Sequence, residues 1–530
     1  MTSSRNLPAG WALEPLGDLG EWIGGGTPSK DEHSYWREGS IPWVSPKDMK
    51  TAVIADSLDH ITEAAVKASA TKLIEPESVL FVTRSGILEH TLPVARAVVP
   101  VTVNQDIKAL KPASPLNANY IAWGARANAA AILRECSKDG TTVASVDTTL
   151  LQGFRIPIAP QEEQHRIVEA IESYSTRLDV AVATLERVQR NLKRYRASVL
   201  KAAVEGRLVP AEAELARAEG RDYEPASVLL ERILAERRRR WEEAELAKMK
   251  AKGQTPRNDG WKAEYQEPVA PDAANLPSLP GGWTWATVDQ LASHRPRSVQ
   301  SGPFGSNLRH SEFQESGKLV IGIDNVQDGY FSMGSENRIP DKKFQALEKY
   351  RARPGDVLVT VMATIGRVCV VPEDLEPAII TKHVYRVTVE RGLIAPRYLH
   401  LALWGGPVVR AQIFGRAQGQ TRPGLNGTII KQLHIPLPPR QEQDRIVTEA
   451  DRLLLIGEDS GTALAATTRR CARLRQSILK WAFEGRLADQ DPTDEPASVL
   501  LDRIRAEREA APSRPSRSPR RTPARRGDHG

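Results

Sequence analysis

The chain has 530 residues, 40% hydrophobic and 26% charged, and 73 basic against 66 acidic side chains leave a formal charge of +7. That length exceeds what one hydrophobic core supports, so several domains are expected; the mild positive charge permits a polyanionic partner without requiring one. Cys136, Cys369 and Cys471 stand far apart with no Cys-x-x-Cys pair, which excludes a disulfide framework and a cysteine zinc site and predicts buried free thiols in a reducing compartment. No apolar run approaches the ~20 residues of a membrane span, and Met1 to Gly10 lacks a signal-peptide stretch. A cytoplasmic protein with no membrane partner is expected.

In chain order, Leu7-Pro8-Ala9-Gly10-Trp11 opens a stretch of short β-rich runs punctuated by Gly, Pro and Asn, among them Ser78 to Thr83. It closes on Ile156-Pro157-Ile158-Ala159-Pro160-Gln161-Glu162-Glu163-Gln164-His165-Arg166-Ile167-Val168. Pro160 and the acidic residues after it mark a helix start. From Ile167 the pattern Ile171, Tyr174, Leu178, Ala181, Leu185, Val188, Leu192, Tyr195, Val199 alternates spacings of four and three, the signature of a coiled-coil seam. Glu205-Gly206-Arg207-Leu208 ends it. A charged helical segment follows from Pro225 to Lys252, with Arg237 to Arg240 and Trp241, and then a polar Pro- and Gly-rich linker from Gly253 to Pro280.

Everything then recurs. Leu279-Pro280-Gly281-Gly282-Trp283 repeats the opening, and Val357 to Val361 reads as a strand. Ile435-Pro436-Leu437-Pro438-Pro439-Arg440-Gln441-Glu442-Gln443-Asp444-Arg445-Ile446-Val447 repeats the helix start. The second seam runs Ile446, Ala450, Leu453, Gly457, Ser460, Leu464, Thr467, Cys471, Leu474, Ile478, thinned by its small residues. Glu484 to Leu487 and Glu495 to Leu501 return the later motifs, and a basic tail closes the chain, expected to be disordered. A period of about 270–280 residues makes each copy a large unit and not a solenoid repeat.

A helix of about 40 residues extends roughly 60 Å, so the two matched seams are expected to bury each other. If they pair antiparallel, a direct repeat acquires an approximate two-fold axis. Duplex DNA has such axes, which dimeric readers match with half-sites at fixed spacing.

The duplicated Leu-Pro-x-Gly-Trp and Ile-Pro-x-x-Pro-x-x-Glu-Gln-x-x-Ile-Val elements, over roughly residues 7 to 509, resemble those of type I restriction-modification specificity subunits. The resemblance implies an α+β fold: two mixed α/β target recognition domains joined by two long helices in an antiparallel intramolecular coiled coil, pseudo-two-fold symmetric. The expected divisions are 1–158 and 276–437 for the recognition domains, 159–208 and 438–487 for the long helices, 209–275 for a charged helical segment and linker, 488–510 for a terminal helical segment and 511–530 for the tail. It further implies that each domain binds one half of a split double-stranded DNA target. Two methyltransferase subunits and restriction subunits would be the partners, directed to adenine methylation or cleavage and carrying the methyl donor, ATP and Mg. No cofactor or metal is expected on this chain and no catalytic residue, since neither an Asn/Asp-Pro-Pro-Tyr tetrapeptide nor a phosphate loop occurs. The alternatives are a coiled-coil protein-interaction scaffold, an enzyme acting on DNA unaided, and a specificity factor of another phage-defence methylation system.

Base reading needs hydrogen-bonding side chains on loops and strand ends. In the first half the candidates are Lys47, Thr83, Arg84, Ser85, Asn104 and Gln105. In the second they are Ser301, Phe304, Ser306, Asn307, Thr364, Arg367, Lys382, His383, Gln420 and Arg422, with Thr364 and Arg367 expected to match Thr83 and Arg84. The glycines at 24–26 read as a bend near DNA or an ordinary turn. Arg84→Ala or Arg367→Ala should weaken specific binding by about 1–3 kcal/mol where the residue reads a base. Unchanged affinity in a gel-shift titration of the assembled complex would reject that assignment.

Overall fold

A computed structural model describes residues 7–138, 142–256, 258–417 and 424–510; the expected basic tail lies outside them. The chain packs into two compact units, Met1–Glu186 with Ala465–Gly530, and Arg187–Leu464. Both divisions fall inside a long helix, Gln161–Val204 or Arg440–Ala482. Each unit therefore takes the head of one long helix and the tail of the other.

In the first unit Ala12–Pro15 pairs antiparallel with Arg155–Ile158. Five strands follow in the order Gly20–Gly24, Ile107–Pro112, Ser78–Val82, Val94–Ala97, Val53–Ile54, and three in the order Asp59–Ile61, Ile41–Val44, Thr102–Val103. The second unit repeats the plan. Thr284–Thr287 pairs with His434–Leu437. Its two four-stranded sheets run Val299–Ser301, Val384–Val387, Val357–Thr360, Val368–Val370, and Arg338–Ile339, Lys318–Ile321, Ala378–Ile380, Arg351–Ala352. The central strands Ser78–Val82 and Val357–Thr360 are buried at every residue, as an unbroken apolar run requires. Helices Ala118–Ala127 and Pro396–Gly405 lie against them.

Within each unit the two long-helix segments run in opposite directions. In the first, Arg166 meets Asp494 at 2.5 Å while Asp179 pairs with Arg475; Ile167, Ile171, Ile478, Ala482 and Phe483 share one core. In the second, Val199, Leu200, Ala203 and Val204 share a core with Ile446, Ala450 and Leu454. Of the predicted seam, Ile167, Ile446 and Ile478 are buried, whereas Leu178, Leu185, Leu192, Leu453 and Leu464 are half-buried. Four large seam side chains, Tyr174, Val188, Tyr195 and Leu474, are exposed instead, and Leu454 is buried where Leu453 was expected to be the inner residue. A pair of helices covers only a narrow stripe, so wide side chains at its rim stay wet.

The repeated motif roots each helix. Trp11 Nε1 donates to Glu163 at 2.9 Å, and Trp283 Nε1 to Glu442 at 2.9 Å. Next in sequence, the Gln164 side chain accepts from Asn117 N at 3.2 Å and donates to the Ala159 carbonyl at 2.9 Å; Gln443 does the same with Ala395 N and the Pro438 carbonyl, at 2.9 and 3.1 Å. The hydroxyls of Tyr120 and Tyr398 donate to the Pro157 and Pro436 carbonyls at 3.0 and 2.6 Å, and each tyrosine meets its tryptophan edge-on. Helices Ala226–Ala251 and Ala497–Ala510 are held alike, by Ala226 N to the Gly282 carbonyl and Ala497 N to the Gly10 carbonyl, both at 2.8 Å.

Burial pushes the Glu163 and Glu442 carboxyls above the ordinary glutamate value, against the lowering effect of the tryptophan N–H. Both bind a proton more tightly folded than unfolded. Their contribution is therefore full below about 4.5, the unfolded value, and is lost as pH rises through the higher folded value. Glu163→Gln keeps the Trp11 bond without the charge, so it should be at least as stable as the parent at pH 7 and should flatten this acid-side dependence. Glu163→Ala leaves the indole N–H unpaired and should cost about 1–3 kcal/mol. Urea unfolding across pH 4–7 measures both.

Candidate nucleic-acid interface

Hydrogen-bond register aligns the two units where sequence does not. Val82 pairs with Ile107 and Thr360 with Val384, so Thr83 corresponds to Val361, Arg84 to Met362, Gln105 to Lys382 and Asp106 to His383. The adjoining bonds agree. Thr83 N reaches the Asp106 carbonyl at 2.7 Å, and Val361 N the His383 carbonyl at 3.0 Å. Asn104 N reaches Val44 O at 3.0 Å, and Thr381 N reaches Ile321 O at 2.9 Å. Beyond those strands Asp48 Oδ2 accepts from Ser45 N at 2.9 Å, and Asn325 Oδ1 from Gly322 N at 2.8 Å. Glu77 and Gly355 both take left-handed φ, 62° and 80°, a conformation that glycine adopts freely and glutamate rarely.

Gly25 and Gly302 also correspond. A Cβ at Gly25 would overlap the carbonyls of Val103 and Asn104, and one at Gly302 that of Ile380. The glycines thus let one loop press backbone to backbone against the next. In each unit four loops gather at one edge: those around Gly25, Lys47, Arg84 and Gln105, and those around Gly302, Asp324, Met362 and Lys382.

The candidates separate by exposure. Arg84 is exposed, and its guanidinium has no ion pair or hydrogen bond among the described residues. Gln105 is exposed and accepts from Thr27 Oγ1 at 2.6 Å. Lys47 is exposed but paired with Asp59 at 2.7 Å, which raises its pKa. Ser85 caps the short helix Gly86–Glu89. Thr83 and Asn104 are buried, bonded to the Asp106 carbonyl and carboxylate; they support the edge and do not form its surface.

In the second unit Phe304, Ser306, Asn307 and Lys382 are exposed, while Ser301 is buried. His383 is half-buried, and burial, then the Lys382 charge, lowers its pKa, leaving a neutral imidazole. The atoms Thr364 Oγ1, Thr381 Oγ1 and His383 Nδ1 are buried without a partner among the described residues. Gln420 and Arg422 lie outside those residues.

The expected match of Thr364 and Arg367 with Thr83 and Arg84 is corrected. Arg367 N and O bond Thr360 at the return of the hairpin, the place that Pro93 holds in the first unit, where Val82 N reaches the Pro93 carbonyl. Its guanidinium is bonded to Gln327 at 3.2 Å. Sequence reasoning missed Met362 and Asp324, and noted the glycines at 24–26 as a bend or turn without pairing Gly25 with Gly302. The signal was present: Pro76-Glu77-Ser78-Val79-Leu80 and Pro354-Gly355-Asp356-Val357-Leu358 carry the same turn into the same strand.

Two copies of one loop-edged sheet core, each rooted by the same clamp on a long helix, define a duplicated two-unit recognition protein. The family model described as the type I restriction modification DNA specificity domain matches residues 8–190 and 308–454. A relative from Escherichia coli, the EcoR124I/EcoR124II specificity subunit, is 46% identical over 161 residues, 30% of this chain and 40% of that one. The StySPI specificity subunit of Salmonella potsdam is 23% identical over 95% of this chain and 96% of its own. A solved structure concerned with complex assembly and conformational transition of the type I R-M system aligns over 91% of this chain and 100% of its own, with a TM-score of 0.62 at 17% identity, which establishes likeness of fold. The chain belongs to the type I restriction-modification specificity family.

Gly25→Ala or Gly302→Ala should force apart a pair of loops fixed backbone to backbone, costing about 1–3 kcal/mol through lost hydrogen bonds and strain. Chemical denaturation of each variant against the parent measures the loss, and an unchanged midpoint would show that the loops are free to separate.

Proposed function

We propose that this chain is the sequence-reading subunit of a type I restriction-modification complex, binding a split double-stranded DNA target with one half-site per unit. The two long helices pair as an antiparallel coiled coil and hold the half-sites at a constant gap. Methyltransferase and restriction subunits supply the chemistry, so the chain itself is non-catalytic. The observation that carries this reading is the duplicated loop edge: one backbone frame in both units, bearing unlike exposed side chains, suits one reader turned to two different sequences. The exposed candidates Arg84, Gln105, Lys382, Asn307 and Ser306 are its contact residues, with Lys47 and His383 beside them.

Direct base contacts bring phosphate contacts with them, so affinity for duplex DNA should fall steeply and log-linearly with salt. Co-expression with type I methyltransferase subunits, followed by mapping of methylated adenine in the host DNA, should yield one split motif with a constant gap. Methylation by this chain alone, or no motif in the complex, would overturn the reading. A scaffold without DNA affinity would bind duplex no better at low salt than at high.

A further inference from the structure

Arg84 and Met362 share a position that the strand register fixes, and each follows a strand buried at every residue. The preceding amides, Thr83 N and Val361 N, are pinned to the carbonyls of Asp106 and His383. A side chain at either place is therefore presented by a rigid strand end, the setting that precise base contact needs. Both project at the surface: Arg84 is exposed and Met362 is 38% exposed. Their chemistry is opposed. A guanidinium fork matches the O6 and N7 acceptors of guanine, whereas an unbranched apolar side chain matches the thymine methyl group. Phe304, 61% exposed and two residues beyond Gly302, makes the second edge the more apolar.

Resting on the function proposed above, we propose that residues 84 and 362 are one reading position in two copies, taking guanine through Arg84 in one half-site and a thymine methyl through Met362 in the other. The two halves of the target differ at the corresponding base pair because of this exchange.

The test expresses the parent chain, Arg84→Met and Met362→Arg, each with methyltransferase subunits, and maps methylated adenine in the host DNA. Arg84→Met should relax one guanine position in one half of the motif, with discrimination there falling about tenfold or more. Met362→Arg should replace a thymine requirement by a guanine requirement in the other half. An intact motif in both variants, or changes confined to the same half, overturns the inference while the proposed function stands. Uniformly weaker methylation of an unchanged motif marks Arg84 as a phosphate contact and also overturns it. Where Arg84→Met abolishes methylation, Arg84→Gln decides: a guanine position relaxed or turned towards adenine supports the assignment, and an unchanged motif rejects it. A parent chain that directs no split motif overturns the proposed function, and this inference with it.

Discussion

The fold depends on a carboxylate placed where it is most useful and hardest to keep. Glu163 and Glu442 sit in the first turn of their helices, where the unpaired amides and the helix dipole favour a negative charge. Both are nevertheless buried, which disfavours the charge. The indole N–H of Trp11 or Trp283 offsets some of that cost, and the neighbouring glutamine satisfies one amide and one carbonyl that would otherwise be orphaned. Each member is held by specific partners, and Glu442 accepts from Glu212 N at 2.9 Å as well as from Trp283. A replacement that removes the hydrogen-bonding atom strands a buried polar group, typically at about 1–3 kcal/mol, and this is why the motif survives in both copies when so little else does.

The loop edges obey the opposite rule. Backbone hydrogen bonds make few demands on side-chain identity, so Thr83 and Val361, or Asn104 and Thr381, hold the same register with unrelated chemistry. Constraint returns only where a side chain would intrude, as at Gly25 and Gly302. A frame set by main-chain bonds and two glycines leaves the outward residues free to vary, which is what two different half-sites require.

This contrast also explains what could be read in advance. The periodic seams from Ile167 to Val199 and from Ile446 to Ile478 fall inside the helices Gln161–Val204 and Arg440–Ala482, and the β-rich runs at 78–83 and 357–361 became buried central strands. The polar clamp was visible as repeated sequence, although its tryptophan and glutamate stand 152 and 159 residues apart and no local pattern paired them. The edge was harder. The hairpin from Thr83 to Pro93 is longer than that from Val361 to Arg367, so matching strand-end residues by their chemistry reached Thr364 and Arg367 instead of Val361 and Met362. Seam positions slipped for a related reason: with Gly457 and Gly461 beside it, the stripe after Ala450 can pass through either Leu453 or Leu454, and packing selects Leu454.

Clamp and edge are mechanically joined within each unit. Tyr120, bonded to the Pro157 carbonyl and edge-on to Trp11, belongs to the helix that covers strand Ser78–Val82. Six residues on, Arg126 Nε donates to the Val94 carbonyl at 2.6 Å, on the neighbouring strand. In the second unit Tyr398 takes the place of Tyr120, and His400, held at about 3 by burial and therefore neutral, lies 3.2 Å from the Val368 carbonyl on the matching strand. Close-packed interiors transmit displacement because they have little room to absorb it. Helix root and strand end are therefore parts of one packed body in each unit, with the strand that leads to residue 84 or 362 held under the helix that bears the tyrosine.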